Sequence, residues 1–354
     1  MNAVLGIFFH AIGGFAAGSF YMPYNKVKNW AWEVFWIIGG FFSWIIAPWV
    51  VAWLTIPDLP AVINQIFTNP DITSNVLWAY IFGVLWGFGG LTFGLTMRYL
   101  GMSLGMALAL GLTATFGTLI PPIFHDQMGT LFTTNFGITT LIGIVIALVG
   151  IVIVGKAGKQ KDDSLPDEVK KKAIKEFNYR KGILVAIFSG IMSACFAFGL
   201  DAGKPIADMS IAQGTPVLFQ NSAVLIVVLA GGFTTNFIWC LSLMIKNETY
   251  KQIVSLKPAQ GLRNLLFSAL AGTTWYFQFM FYGMGSSKLG RSLDFASWTI
   301  HMAFIIIFST MWGLILKEWM GAQKETKRIL LAGLLILIFS TVIIGFASYL
   351  KTYS

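Results

Sequence analysis

Residues 137–181 read GITTLIGIVIALVGIVIVGKAGKQKDDSLPDEVKKKAIKEFNYRK, and two kinds of chain meet inside that stretch. From Gly137 to Val154 no charged residue occurs. At about 1.5 Å per residue, a helix of that length nearly crosses the roughly 30 Å hydrocarbon core of a bilayer. The continuation inverts the composition: 155–181 holds nine Lys/Arg and five Asp/Glu. An apolar span that ends in a basic, hydrophilic connection reads as a transmembrane helix returning to the cytoplasm.

Working outward, nine further apolar stretches join 137–154, at 3–22, 32–54, 76–97, 101–124, 182–200, 216–245, 264–284, 295–316 and 329–350. The stretch 216–245 is long for a perpendicular span and predicts a tilt or an unwound point at Gly231-Gly232. The start of the chain has no basic segment and no clear cleavage pattern, so the first stretch reads as a span and not as a removed signal peptide. The charged connection divides the chain into 1–154 and 182–354, each with five spans, around the linker 155–181.

The whole composition agrees with this reading. Of 354 residues, 56% are hydrophobic and only 11% charged, where soluble domains carry roughly 25% charged residues. Mean hydropathy is +0.73. A soluble enzyme, a disulfide-stapled secreted module and a disordered chain are excluded. The two cysteines, Cys195 and Cys240, lie inside apolar stretches and predict neither a disulfide nor a metal site. The net charge of +9 reflects loop placement, with no nucleic-acid partner implied. Lys26, Lys28, Arg98, the central linker, Lys246, Lys251, Lys257, Arg263, Lys317, Lys324, Lys327 and Arg328 fall on one side. Only Lys204, Lys288, Arg291 and Lys351 fall on the other. The positive-inside rule then puts 155–181 in the cytoplasm and both termini outside.

Five spans per half require the halves to enter the membrane in opposite senses, which is the arithmetic of an inverted repeat. Leu141-Ile142-Gly143 through Gly155 can be laid on Leu331-Ala332-Gly333 through Gly345, and the same offset pairs Arg98 with Lys288. The expected fold is all-α, with ten transmembrane helices as two inverted five-helix repeats. Small residues four apart, such as Gly14 and Gly18 or Gly83 and Gly87, let helices approach closely in lipid.

Polar residues inside spans point to function, because the bilayer excludes them unless they are used or paired. His10 and His301 share a depth in the outer half of the membrane. Gln220, Asn221 and Gln278 come near it, so these five are candidate substrate ligands around an outward cavity. Trp275, Tyr276 and Trp298 add aromatic faces of the kind that stack on a sugar ring while amides and imidazoles bond its hydroxyls. Glu33, in Trp32-Glu33-Val34-Phe35-Trp36, and Asp294 stand near the membrane edges. With His10 and His301 they are the candidate proton carriers. A helix-dipole role explains Glu33 and Asp294 equally well. No H-E-x-x-H or P-loop motif occurs, so the chain reads as neither an enzyme nor an ATP-driven pump, with no cofactor.

Several runs resemble one family. His10 to Lys28 with Trp32-Glu33, Gly94-Leu95-Thr96-Met97-Arg98-Tyr99-Leu100-Gly101-Met102-Ser103, Trp275 to Tyr282, Ser297 to Met302 and Leu316-Lys317-Glu318-Trp319 are similar to the bacterial L-rhamnose–proton symporters, of the drug/metabolite transporter superfamily. The resemblance implies ten helices in two repeats, residence in the bacterial cytoplasmic (inner) membrane, and import of L-rhamnose, a 6-deoxyhexose, with a proton by alternating access. Transport of another monosaccharide or small metabolite, export, a channel and a polytopic membrane enzyme stay open as alternatives.

Overall fold

The computed structural model describes residues 2–100, 102–164, 178–255, 257–290, 294–317 and 319–352. Among them every regular element is helical. The long helices are α1 (Ala3–Ser19), α2 (Trp32–Phe41), α3 (Thr73–Leu100), α4 (Met102–Phe124), α5 (Asn135–Asp163), α6 (Tyr179–Ala202), α7 (Ser222–Lys246), α8 (Pro258–Leu289), α9 (Asp294–Ile315) and α10 (Lys324–Thr352). Each apolar stretch of the sequence falls on one of them. Among the described residues eight helices are long and apolar enough to cross a membrane. Their outer faces carry side chains that water would penalise and lipid does not, including Trp53, Leu54, Val152 and Leu184, all exposed. The part of the linker between Ser164 and Asn178 lies outside the described residues.

α2 continues through a π-helical turn, Phe42–Ile46, into Ala47–Thr55. Pro48 therefore opens a new segment, where its missing N–H costs little. Outside the long helices, Leu59–Thr68 is a short helix capped by Asp58, and Lys204–Ala212 begins with Pro205 in its first turn.

One expectation is corrected. α7 is unbroken at Gly231-Gly232, and the interruption falls earlier, at Gln220-Asn221, between a 3-10 turn at Val217–Phe219 and the helix proper. The two glycines are used for contact instead. A methyl group on Gly231 would sit 2.2 Å from the Tyr80 carbonyl oxygen, and one on Gly83 would sit 2.0 Å from that of Val228. Here α3 and α7 touch backbone to backbone, which only glycine permits.

The packing interleaves the two halves. α1 lies against α8 and α9, and α6 lies against α3 and α4; α5 pairs with α10. The contacts come in matching sets. Leu289 fills the space beside Gly6, and Leu100 the space beside Gly182; Phe304 covers Gly14, and Leu112 covers Gly190. α8 crosses α2 at Gly272 and Gly39, as α3 crosses α7 at Gly83 and Gly231. The helix starts match too. Asn2 caps α1 at Leu5 N and donates its own N–H to the Lys288 carbonyl (3.1 Å), while Asn178 caps α6 at Lys181 N and donates to the Tyr99 carbonyl (3.2 Å).

Candidate functional site

The interleaving carries His10 on α1 and His301 on α9 to the same place. Their ring centroids are 5.7 Å apart in an edge-to-face arrangement, and the Tyr282 ring of α8 lies 5.5 Å from the first and 5.3 Å from the second. The approach depends on small residues. A methyl on Gly285 would sit 2.7 Å from His10 Nε2, and one on Gly13 would sit 2.9 Å from His301 Cε1 and 3.1 Å from the Gln278 carbonyl oxygen. His10 is 0% and His301 2% exposed, so bulk water reaches neither. Yet both ring nitrogens of His10 and Nδ1 of His301 have no hydrogen-bond partner, nor has the hydroxyl of Ser297, one turn before His301. A buried polar group left unpaired costs on the order of 1–3 kcal/mol. Such a cluster makes sense where a ligand or a proton supplies the missing partner.

An aromatic lining runs away from this cluster. Trp298 meets Tyr282 edge-on (5.6 Å between centroids) and donates Nε1–H to the Thr113 carbonyl on α4 (3.0 Å). Phe196 of α6 stacks on Trp298 at 5.9 Å and reaches Trp86 of α3 at 5.2 Å. Trp86 and Trp275 face each other at 6.5 Å, and Trp275 stacks on Phe20 at 4.7 Å. The pairs match across the halves: Phe20 on Trp275, Phe196 on Trp86. Indole and phenyl faces are suited to the C–H faces of a sugar ring.

The other candidates lie elsewhere. Tyr276 is fully buried, but nine residues before Gly285 it occupies the opposite face of α8 from the histidines. Asn221 abuts Gly283, also away from His10, and half-buried Gln220 ends the 3-10 turn beside it. Glu33 lies several turns of α8 from the histidines, at the start of α2. Its Oε1 accepts hydrogen bonds from Asn247 Nδ2 (3.2 Å) and Thr249 Oγ1 (2.9 Å), just beyond the end of α7. Asp294 opens α9, and its side chain lies outside the described residues.

No sequence motif singles out the third histidine of the chain. His125, beyond Pro121-Pro122 at the end of α4, approaches Asp201 on α6 with Nε2 2.6 Å from Oδ2, and Lys204 Nζ reaches the other carboxylate oxygen at 2.5 Å. These groups rim a cleft of about 30 Å³ whose floor is Tyr282 and Trp298, room for one or two waters. The cleft leads toward the histidines, and no local spacing joins positions so far apart in the chain. Among the described residues no group of three or more His, Cys, Asp or Glu is placed to hold a metal ion.

Comparison with known proteins decides the family. The sequence profile described as L-rhamnose-proton symport protein matches residues 1–349. The chain belongs to that family. The L-rhamnose-proton symporter of Yersinia pestis (strain Pestoides F) is 38% identical over 344 residues, covering 97% of each chain. That of Klebsiella pneumoniae subsp. pneumoniae is 38% identical over 345 residues, covering 96% of this chain and 97% of its own. Membership in the L-rhamnose-proton symport family, with eight apolar helices of spanning length among the described residues, makes this a multi-pass membrane protein and not an enzyme.

For a member of this symport family the acid at the start of α2 needs a decisive test. Glu33 ties α2 to the segment after α7. We expect Glu33→Gln to lower stability by about 1–2 kcal/mol, since a carboxylate accepts more strongly than an amide, and to leave gradient-driven accumulation in place. Lost accumulation with retained sugar exchange would identify Glu33 as the proton carrier.

Proposed function

We propose that the protein imports L-rhamnose with a proton across the bacterial cytoplasmic membrane by alternating access. The observation that carries this reading is the buried His10–His301 pair at the end of an aromatic lining, with both ring nitrogens of His10 and Nδ1 of His301 unpartnered, in a chain whose relatives are named L-rhamnose-proton symporters. In the proposed arrangement Gln278, Trp298 and Tyr282 join the histidines in holding sugar hydroxyls, and Trp275, Trp86 and Phe196 supply stacking faces. The histidines carry the proton. Two imidazolium charges at 5.7 Å in a dry interior would repel strongly, so the pair holds one proton far better than two. Sugar bound beside it changes that preference, and linkage makes the effect mutual.

We further propose ten transmembrane helices in two inverted repeats, of the kind found in the drug/metabolite transporter superfamily. The matched contacts of α1 with α8 and α6 with α3, and the paired asparagine caps, support the repeat. The distribution of basic residues supports outward termini and a cytoplasmic 155–181. The two histidines break the symmetry: in the register that pairs Gly14 with Gly190 and Phe304 with Leu112, His10 corresponds to Ala186 and His301 to Ala109.

Labelled L-rhamnose supplied to cells that make the protein tests the function. Sugar should accumulate above its external concentration and fall back to it when a protonophore is added. A channel or an exporter would give no accumulation to lose, and indifference to the protonophore would rule out proton coupling.

A further inference from the structure

A second set of unpartnered polar atoms lies toward the other end of the aromatic lining. Tyr24 Oη, Ser43 Oγ, Trp44 Nε1 and Ser268 Oγ are all buried and have no hydrogen-bond partner. They gather where α2 crosses α8. A methyl on Gly39 would sit 1.8 Å from Tyr24 Oη and 3.0 Å from the Ser268 carbonyl oxygen, and Gly272 of α8 presses on the Gly39 carbonyl. Ser43 is one turn beyond Gly39, and the Trp44 ring folds back over Gly40. Indole faces enclose the group: Trp44 is 5.3 Å from Trp275 and 6.3 Å from Trp36 between centroids. The Trp36 N–H is not among the orphans, since it donates to Asn236 Oδ1 (3.0 Å).

Four orphan groups in one place are hard to explain as packing. Each could be replaced by an apolar group of similar shape at little or no cost in stability. Their chemistry is that of hydroxyl recognition: three hydroxyls that donate or accept and one indole that donates, with no charged side chain among them. The matched contacts between halves add a second observation. In the register that pairs Gly14 with Gly190 and Phe20 with Phe196, Tyr24 corresponds to Leu200, and Leu200 lines the outer cleft. Tyr24 thus stands at the opposite mouth of the path, with a hydroxyl where its counterpart has none.

We propose that Tyr24, Ser43, Trp44 and Ser268 form a second sugar station on the cytoplasmic side of the path. It takes the hydroxyls of a neutral monosaccharide after they leave the histidine site. Ser268 precedes Tyr282 on α8 by a distance of about 20 Å, so the two stations act in sequence and not as one pocket. The proposal rests on the reading of the protein as a rhamnose transporter.

The test uses the full-length protein in vesicles of known orientation, with L-rhamnose exchange measured from each face. Tyr24→Phe and Ser268→Ala should each raise the half-saturating sugar concentration about five- to tenfold at the face bearing Lys26, Lys28 and Arg263. The opposite face should change less than about twofold, and the melting temperature should hold or rise. Unchanged exchange at both faces would overturn the second station. So would an equal loss at both faces with a lowered melting temperature, because that marks a structural role. Wild-type protein that exchanges no L-rhamnose at either face would overturn the substrate reading itself, and the station with it.

Discussion

His301→Gln abolishes proton-driven accumulation of L-rhamnose while the protein still inserts and still exchanges sugar for sugar. The expected size follows from the gradient. With one proton per sugar, a difference of two pH units supports accumulation up to about a hundredfold, each unit supplying about 1.36 kcal/mol. A carrier without its titrating group only equilibrates. Glutamine keeps a polar side chain of similar reach next to Gly13 and Tyr282, so the change removes titration more than bulk. His10→Gln should behave alike, because the two rings share one buried site. Full accumulation by both variants would take the histidines out of coupling and return Glu33 to consideration.

The second large effect is on the fold. Gly272→Val should cost about 3–5 kcal/mol or prevent stable insertion, since its Cβ would lie 1.9 Å from the Gly39 carbonyl oxygen, a backbone atom that cannot swing aside. Gly83→Val meets the Val228 carbonyl oxygen at 2.0 Å in the matching crossing and should cost as much. Gly90→Ala is the control. Nothing lies within 4 Å of its added methyl, so the change should be neutral or stabilise by about 0.5–1 kcal/mol through helix propensity. Detergent melting curves check all three. Equal, small shifts would show that the crossings are looser than contacts of 1.9–2.0 Å require.

Apolar length and missing charge located each long helix, because a bilayer imposes one period and one length on every span. The closeness of His10 and His301 is legible for the same reason: in two helices that start at the same end of the bundle, residue number measures depth. Which face of a helix a residue occupies depends on its neighbours, and the sequence does not state those. Hence Tyr276 and Asn221 looked as close to the histidines as Gln278, while Tyr282, which touches both rings, drew no notice. Gly231-Gly232 invited a break in α7 because glycine weakens helices. The fold uses that weakness to let Tyr80 and Gly83 approach. His125 and Asp201 meet only because α4 and α6 pack together across the two halves.

Purified protein in liposomes with a trapped pH-sensitive dye offers the most direct measurement, made with equal pH on both sides and no membrane potential. Adding L-rhamnose outside should acidify the lumen as sugar enters, and His301→Gln should let sugar enter without acidification. Wild-type protein that carries L-rhamnose inward with no movement of protons would contradict symport through the histidine site.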